Sequence, residues 1–342
     1  MRKFLKITLV IVIIAAVLLG IVLSVFKLFI PLYNYSTAKS NLKSGNYEVA
    51  YNYFEKCNGF NDSEDYLHNF AFVYEKETEK LYDSSGKFAG HYNRQLDKNG
   101  NLTLVTFYDR NGKFSSKITY RYDKNGNLVY ENFYFGGGTA ETVKYNYDDN
   151  NNLIEEAHYD VSNKVTSKFT HKYDNNGRKT NTVEYSNHDS EYELFYAYEY
   201  DENGFLICQK FLNSFGQETG SYEFINDERG NKLCDTYYSA SGIQGPYKEY
   251  KYDSYNNVIY AAFYDGQGNF AHKHEEEYNS HGDQISYTLY ASENEIYEKT
   301  TYTIKYDQYG NKTSRITYIN GKKSGRSVSE YQGLMLVYKP NK

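Results

Sequence analysis

The chain has 342 residues, enough for two domains and a sizeable buried core. It holds 42 Tyr, 20 Phe and 25 Gly against 3 Pro, 2 Met and no Trp, a bias toward strands because Tyr suits a pleated, half-buried surface. The formal net charge is −6 and no Lys/Arg cluster interleaves with the Tyr residues, which excludes an electrostatic reason to bind nucleic acid.

The first element is apolar. Ile7 to Phe26 reads ITLVIVIIAAVLLGIVLSVF, without a charge. As a helix it spans about 30 Å, the thickness of a bilayer core. Arg2, Lys3 and Lys6 precede it, so the short tail is expected in the cytoplasm and the bulk of the chain outside. A cleaved signal peptide would carry a shorter apolar stretch followed by a small-residue cleavage site, and that pattern is absent. Residues 1–35 are therefore expected to form a tail and a single-pass anchor in the cell membrane.

From Ser36 the period becomes helical. Ala38, Leu42, Gly45, Tyr47, Ala50 and Phe54 recur at helix-pair spacing, with Gly45-Asn46 as the break. A third helix is expected to start at Asn61-Asp62-Ser63, with Tyr66, Leu67, Phe70, Val73 and Tyr74 on one face. The string A-x3-L-x2-G-x-Y-x2-A-x3-F resembles a tetratricopeptide-type helix pair over some 40 residues, in one copy. Such repeats bury their faces against further copies, so a lone pair in residues 36–80 reads as a helical spacer or cap. A peptide groove is the alternative.

The strongest signal fills residues 81–330. Asp97, Asp123, Asp148, Asp174, Asp201, Asp227, Asp253, Asn279 and Asp307 stand at intervals of 26, 25, 26, 27, 26, 26, 26 and 28. Tandem copying of one structural unit produces such a series. Tyr precedes the marker in seven units, at Tyr122, Tyr147, Tyr173, Tyr200, Tyr252, Tyr278 and Tyr306. Gly follows it by three everywhere except at Asn151 and Asn256, and Asn is the other residue that tolerates positive φ. Asp at i with Gly at i+3 predicts a type I turn and a G1 bulge, a common hairpin connection.

A second turn begins eleven residues after each marker, at Tyr108, Tyr134, Tyr159, Tyr185, Tyr238, Tyr264, Tyr290 and Tyr318, with Leu212 as the departure. A half-unit, LYDSSGK from Leu81, precedes the first full copy. Each unit thus holds two strands, with alternation such as Tyr120/Tyr122 or Tyr250/Tyr252 giving an aromatic face and a polar face. About eighteen strands exceed what an open twisted sheet carries. The fold class expected is mainly β: hairpin repeats in a curled sheet, shell or solenoid, after a transmembrane helix and a short helical module, with residues 331–342 as a tail. Cys208 and Cys234 fill the same slot of adjacent units, so a disulfide and a reduced pair are both open readings.

The string Y-x-Y-D-x-N-G-N-L at Tyr120–Leu128 is similar to the YD repeats of the bacterial Rhs family, in register over about 240 residues. The resemblance implies hairpin strips wound into a shell, and a link to carbohydrate. Rhs proteins are far longer and carry a toxin behind a core-closing motif that this sequence lacks, so toxin delivery is not expected. FYDRNGKF and YINGKKSG also resemble the aromatic-Gly repeats of cell-wall-binding modules, although those rely on Trp and a shorter period.

No catalytic or cofactor chemistry stands out. Asp-x-Asn-Gly-Asn at Asp97 and Asp123 lacks the bidentate Glu of a calcium loop, and the turn already explains its residues. His272 and His274 with Glu275–Glu277 read as one charged strand rather than a metal site. Cys57, Cys208 and Cys234 have no zinc-like spacing. Neither a G-x-S-x-G elbow nor a P-loop is present. The function expected is non-catalytic: a surface displayed outside the membrane whose Tyr rings, at the eight second-turn positions, contact polysaccharide or a protein partner. The competing reading is a structural stalk. An enzyme or toxin component ranks third.

Overall fold

The computed structural model describes residues 27, 29–136, 138–187 and 192–339. The expected anchor Ile7–Phe26 lies outside the described residues. Among the described residues, no helix is long and apolar enough to cross a membrane.

The chain divides into two compact units. The first takes in residues up to Glu75, the turn Leu96–Asn101 and residues from Tyr331 onward. Its helices are α1 (Ile30–Lys43), α2 (Tyr47–Glu55) and α3 (Ser63–His68). Pro31 sits in the first turn of α1, where a missing amide costs nothing, so the helix starts before the Ser36 boundary read from the sequence. Gly45, at φ +72°, makes the break between α1 and α2. Ala38 and Ala50 are fully buried and let the two helices approach, while Phe54 and Cys57 complete the cluster. Phe54 stacks on Tyr66 of α3 at 4.7 Å between centroids, and Ser63 Oγ donates to the Cys57 carbonyl at 2.8 Å.

The expected third helix is shorter than its apolar pattern. Tyr66 and Leu67 lie in α3, but Phe70, Val73 and Tyr74 belong to β1 (Phe70–Tyr82). Lys339 N–H donates to the Asn69 carbonyl at 2.8 Å, so the backbone beyond His68 is claimed by strand pairing. Residues 70–80, assigned above to the helical module, are therefore strand, and so are residues 331–338 of the expected tail.

The sheet continues through β2 (Phe88–Leu96), β3 (Leu102–Asp109), β4 (Phe114–Tyr122), β5 (Leu128–Phe135), β6 (Gly138–Tyr147), β7 (Leu153–Tyr159), β8 (Val165–Tyr173), β9 (Lys179–Ser186) and β10 (Tyr192–Tyr200). It goes on through β11 (Leu206–Leu212), β12 (Glu218–Asn226), β13 (Lys232–Ser239), β14 (Gln244–Tyr252), β15 (Val258–Tyr264), β16 (Phe270–Tyr278), β17 (Gln284–Tyr290), β18 (Ile296–Tyr306), β19 (Lys312–Ile319) and β20 (Lys322–Tyr338). Consecutive strands pair, and β1 also pairs with β20, so one sheet of twenty strands closes on itself. Ser329 of β20 donates to Glu77 of β1 at 2.7 Å across this seam. The two strands beyond the eighteen expected are β1 and β2, joined by the LYDSSGK half-unit. Closure removes the edges that an open array would expose.

The turns follow the residue logic of the repeat. Asp123 N–H donates to the Asn127 carbonyl, Gly126 N–H donates to the Asp123 carbonyl, and Gly126 takes φ +82°. Asn151 and Asn256 replace glycine at φ +64° and +66°, the conformation their residue type predicted. The register shifts between Arg121 and Tyr122 opposite Leu128, which is the bulge. The second turns reuse this geometry at Asp109 and Asp160. Asn320-Gly321 instead makes a two-residue turn with both residues at positive φ.

Candidate functional site

A closed sheet has one inward and one outward face. Cross-strand pairs put Tyr120 beside Glu131, Tyr145 beside Glu156, and Tyr250 beside Ala261, all on one face. Asp235, Glu276 and His274 on that face have side chains 6, 14 and 18% exposed, against 51, 42 and 59% for Glu199, Glu275 and Glu330 on the other. The first face is therefore the inner one. Burial pushes the phenols of Tyr145, Tyr196 and Tyr250 up, and neighbouring Glu131, Glu184 and Asp235 push the same way. Tyr278 is pushed up to about 12 by burial and its hydrogen bond to Glu276.

At the marker end of the inner face a column of Tyr residues ties the units together. The hydroxyls of Tyr122, Tyr147, Tyr173, Tyr200 and Tyr252 donate to the carbonyls of Leu102, Leu128, Leu153, Lys179 and Lys232, at 2.7–2.9 Å. Each bond joins two neighbouring strands, from the residue before one marker to the strand that follows the previous marker. In the unit marked by Asp227 the position is Asn226, whose Nδ2 makes the equivalent bond to the Leu206 carbonyl at 2.8 Å. The sequence showed the Tyr periodicity, but not this partner, which lies 19–21 residues back.

The marker carboxylates organise the turns. Asp148 Oδ1 accepts from the amides of Asn150 and Asn152, and Oδ2 accepts from the Asn152 side chain. Asp227 with Asn231, and Asp253 with Asn257, repeat this set. The Asn side-chain amide leads the donors that hold these carboxyls below the usual Asp range. Sequence reasoning missed this role of the Asn four residues after the marker, although it recurs at Asn101, Asn127, Asn152, Asn231, Asn257 and Asn311.

All eight second-turn Tyr residues are half-buried, and the pairing places them on the outward face. They stand on alternate strands about 9–10 Å apart, except across β11, where Leu212 leaves twice that spacing between Tyr185 and Tyr238. Tyr108 stacks on His91 at 4.7 Å and Tyr264 on Tyr247 at 4.7 Å. Lys117, Lys144 and Lys273 place Nζ 4.3–4.4 Å from the rings of Tyr134, Tyr159 and Tyr290. The Tyr290 hydroxyl donates to Glu275 at 2.8 Å, which pushes its phenol up, and burial beside Glu249 takes Tyr264 up to about 12. Tyr185 pairs with Lys168 and Glu193, Tyr238 with Ser221, and Tyr318 with Thr301.

The disulfide reading of Cys208 and Cys234 is corrected. Both thiols are free. Cys208 lies opposite Glu223 of β12, and Cys234 lies opposite Ile225 of the same strand on its other side. Because each unit holds two strands, equivalent positions stand two strand spacings apart, about 9–10 Å, beyond the ~7 Å that a disulfide bridges. Burial pushes the Cys208 thiol up.

His272 and His274 lie on one face of β16, where His272 stacks on Phe263 at 4.1 Å and His274 approaches Glu276 at 3.3 Å. Among the described residues, no cluster of three or more His, Cys, Asp or Glu is placed to hold a metal ion. Lys117, Thr119 and Arg121 of β4, and Lys273, Glu275 and Glu277 of β16, point outward along their strands.

No family model matches the chain, and no curated protein matches it. Among solved structures, the chain is similar to that of a TcdB2-TccC3-Cdc42 assembly, at 14% identity over 73% of this chain and 18% of that one, with a TM-score of 0.27. A porin-like protein from Bacteroides uniformis is similar at 12% identity, over 76% of this chain and 98% of that one, with a TM-score of 0.29. The Photorhabdus luminescens Tc holotoxin pore is similar at 12% identity, over 72% of this chain and 19% of that one, with a TM-score of 0.22. The chain thus spans less than a fifth of the toxin chains it matches.

Proposed function

We propose that the closed array is a non-catalytic binding shell for polysaccharide, displayed outside a membrane from the Ile7–Phe26 segment, with no cofactor. The observation that carries this reading is the outward belt of eight Tyr residues at one end of the strands, with Lys and Glu side chains setting several of their rings. Tyr rings on alternate strands, interrupted at Leu212 of β11, offer flat apolar platforms with polar rims, spaced to meet every second sugar unit of a polymer lying across the strands. The YD-type turn pattern at Tyr120–Leu128 supports the same reading by resemblance to the Rhs repeats.

The stalk is the second reading, favoured by the ring contacts that Tyr108 makes with His91 and Tyr264 makes with Tyr247 inside the sheet. The test uses cells displaying the full chain, on insoluble chitin and on peptidoglycan. Replacing Tyr159, Tyr185 and Tyr238 together with Ala is expected to abolish retention and leave surface protease resistance intact. Wild-type cells that bind neither matrix would establish the stalk instead.

A further inference from the structure

The inner Tyr column is interrupted once among the units from Asp123 to Asp307, and a cavity opens at the interruption. Where Tyr200 and Tyr252 send their rings to the neighbouring strand, Asn226 reaches the same kind of carbonyl with a side chain of only four heavy atoms. The space lost by the ring belongs to a hollow of about 580 Å³ lined by Asn226, Gln209, Tyr222, Phe224, Asp235 and Lys248. That volume falls in the range of small-molecule sites, about 300–1,000 Å³.

The lining has a defined chemistry. Asp235 is nearly buried, and its carboxylate is taken up by Lys232 Nζ at 2.6 Å and by the Tyr250 hydroxyl at 2.9 Å. Lys232 is thereby neutralised. Lys248 lies opposite Asp235 in the pairing of β13 with β14, and its Nζ rests 5.3 Å from the Phe263 ring. It has no carboxylate partner among the described residues. Two lysines against one aspartate leave the hollow with a net charge of +1. Tyr222 and Phe224 stand side by side on β12 with centroids 6.5 Å apart, and Lys232 Nζ rests 5.3 Å from the Phe224 ring. Gln209 and Asn226 add amide groups at the wall.

We propose that this hollow binds a single hexose ring bearing one anionic substituent. The ring would lie against Tyr222, the anion would meet Lys248, and the hydroxyls would meet Gln209 and Asn226. The site deepens the carbohydrate reading of the shell and lies on the opposite face from the Tyr belt, so the two can fail separately.

The test is calorimetric titration of the full chain in detergent with glucuronate, glucose 6-phosphate and neutral methyl glucoside. Saturable binding of an acidic sugar is expected, with none for the neutral one; the two acids distinguish a carboxylate from a phosphate. Asn226→Tyr restores the residue that other units carry, so it is expected to fold, fill the hollow and abolish binding. Lys248→Gln should weaken binding about tenfold or more while leaving the hollow open. Both variants should keep polymer retention, which reports the outer belt. Acidic sugars that bind wild type and Asn226→Tyr alike, or that bind neither, would overturn the site whatever the matrices show.

Discussion

The helical module and the closed sheet are stabilised by different means. In the module, four hydrophobic residues are almost wholly buried: Ala38, Ala50 and Phe54 at 0% exposure and Cys57 at 3%. Among the described residues between 102 and 330, the buried hydrophobic ones are small: Val143, Ala157, Cys208, Ala261 and Ala262. The sheet relies instead on continuous strand pairing, on Asp-centred turns and on Tyr hydroxyls that link one unit to the previous one. A packed core concentrates stability in a few side chains, whereas a repeated ladder spreads it thinly over many.

That contrast can be broken most sharply at Phe54. Phe54→Ala removes a fully buried ring stacked on Tyr66 and should cost about 3–5 kcal/mol, read as an early loss of helical signal in urea. A loss below 1 kcal/mol would mean that the module does not depend on its core.

In the sheet, single changes should cost less. Gly126 holds φ +82° with open space around its Cα, so Gly126→Ala should cost about 1–2 kcal/mol through backbone strain alone. Gly126→Asn should cost much less, because Asn151 and Asn256 already occupy that conformation. Equal melting temperatures for the two variants would refute the turn geometry.

Tyr147→Phe removes one hydroxyl donated to the Leu128 carbonyl and should cost about 0.5–1.5 kcal/mol. A double variant with Tyr200→Phe should add the two losses, since the residues lie in different units. The smallest single-site effects come with acid. Asp148, Asp227 and Asp253 have carboxyls held below their ordinary value, so their stabilisation is complete above the unfolded pKa near ~4 and is lost as pH falls through the lower folded values. Acid unfolding of Asp148→Asn should therefore be less steep than that of the wild type.

Turn chemistry was legible because its causes are local. Asp at the marker and Gly or Asn three residues on both act within five residues, and the alternation of Tyr120 and Tyr122 fixed the strand faces. The number of repeats likewise announced a long all-β array. Phe70, Val73 and Tyr74 misled because their spacing suits either element, and the partner that settled it, Lys339, lies at the far end of the chain.

By itself, the sequence determined the unit, its two turns, its two strands and the alternation of faces, since each depends on neighbours a few residues apart. Only the tertiary structure decided that β1 meets β20 and closes the sheet, that Cys208 and Cys234 stand two strands apart, and that Asn226 leaves a hollow. These outcomes depend on which strands become neighbours and on how much space side chains from different units leave between them, and a periodic pattern read along one chain does not contain that information.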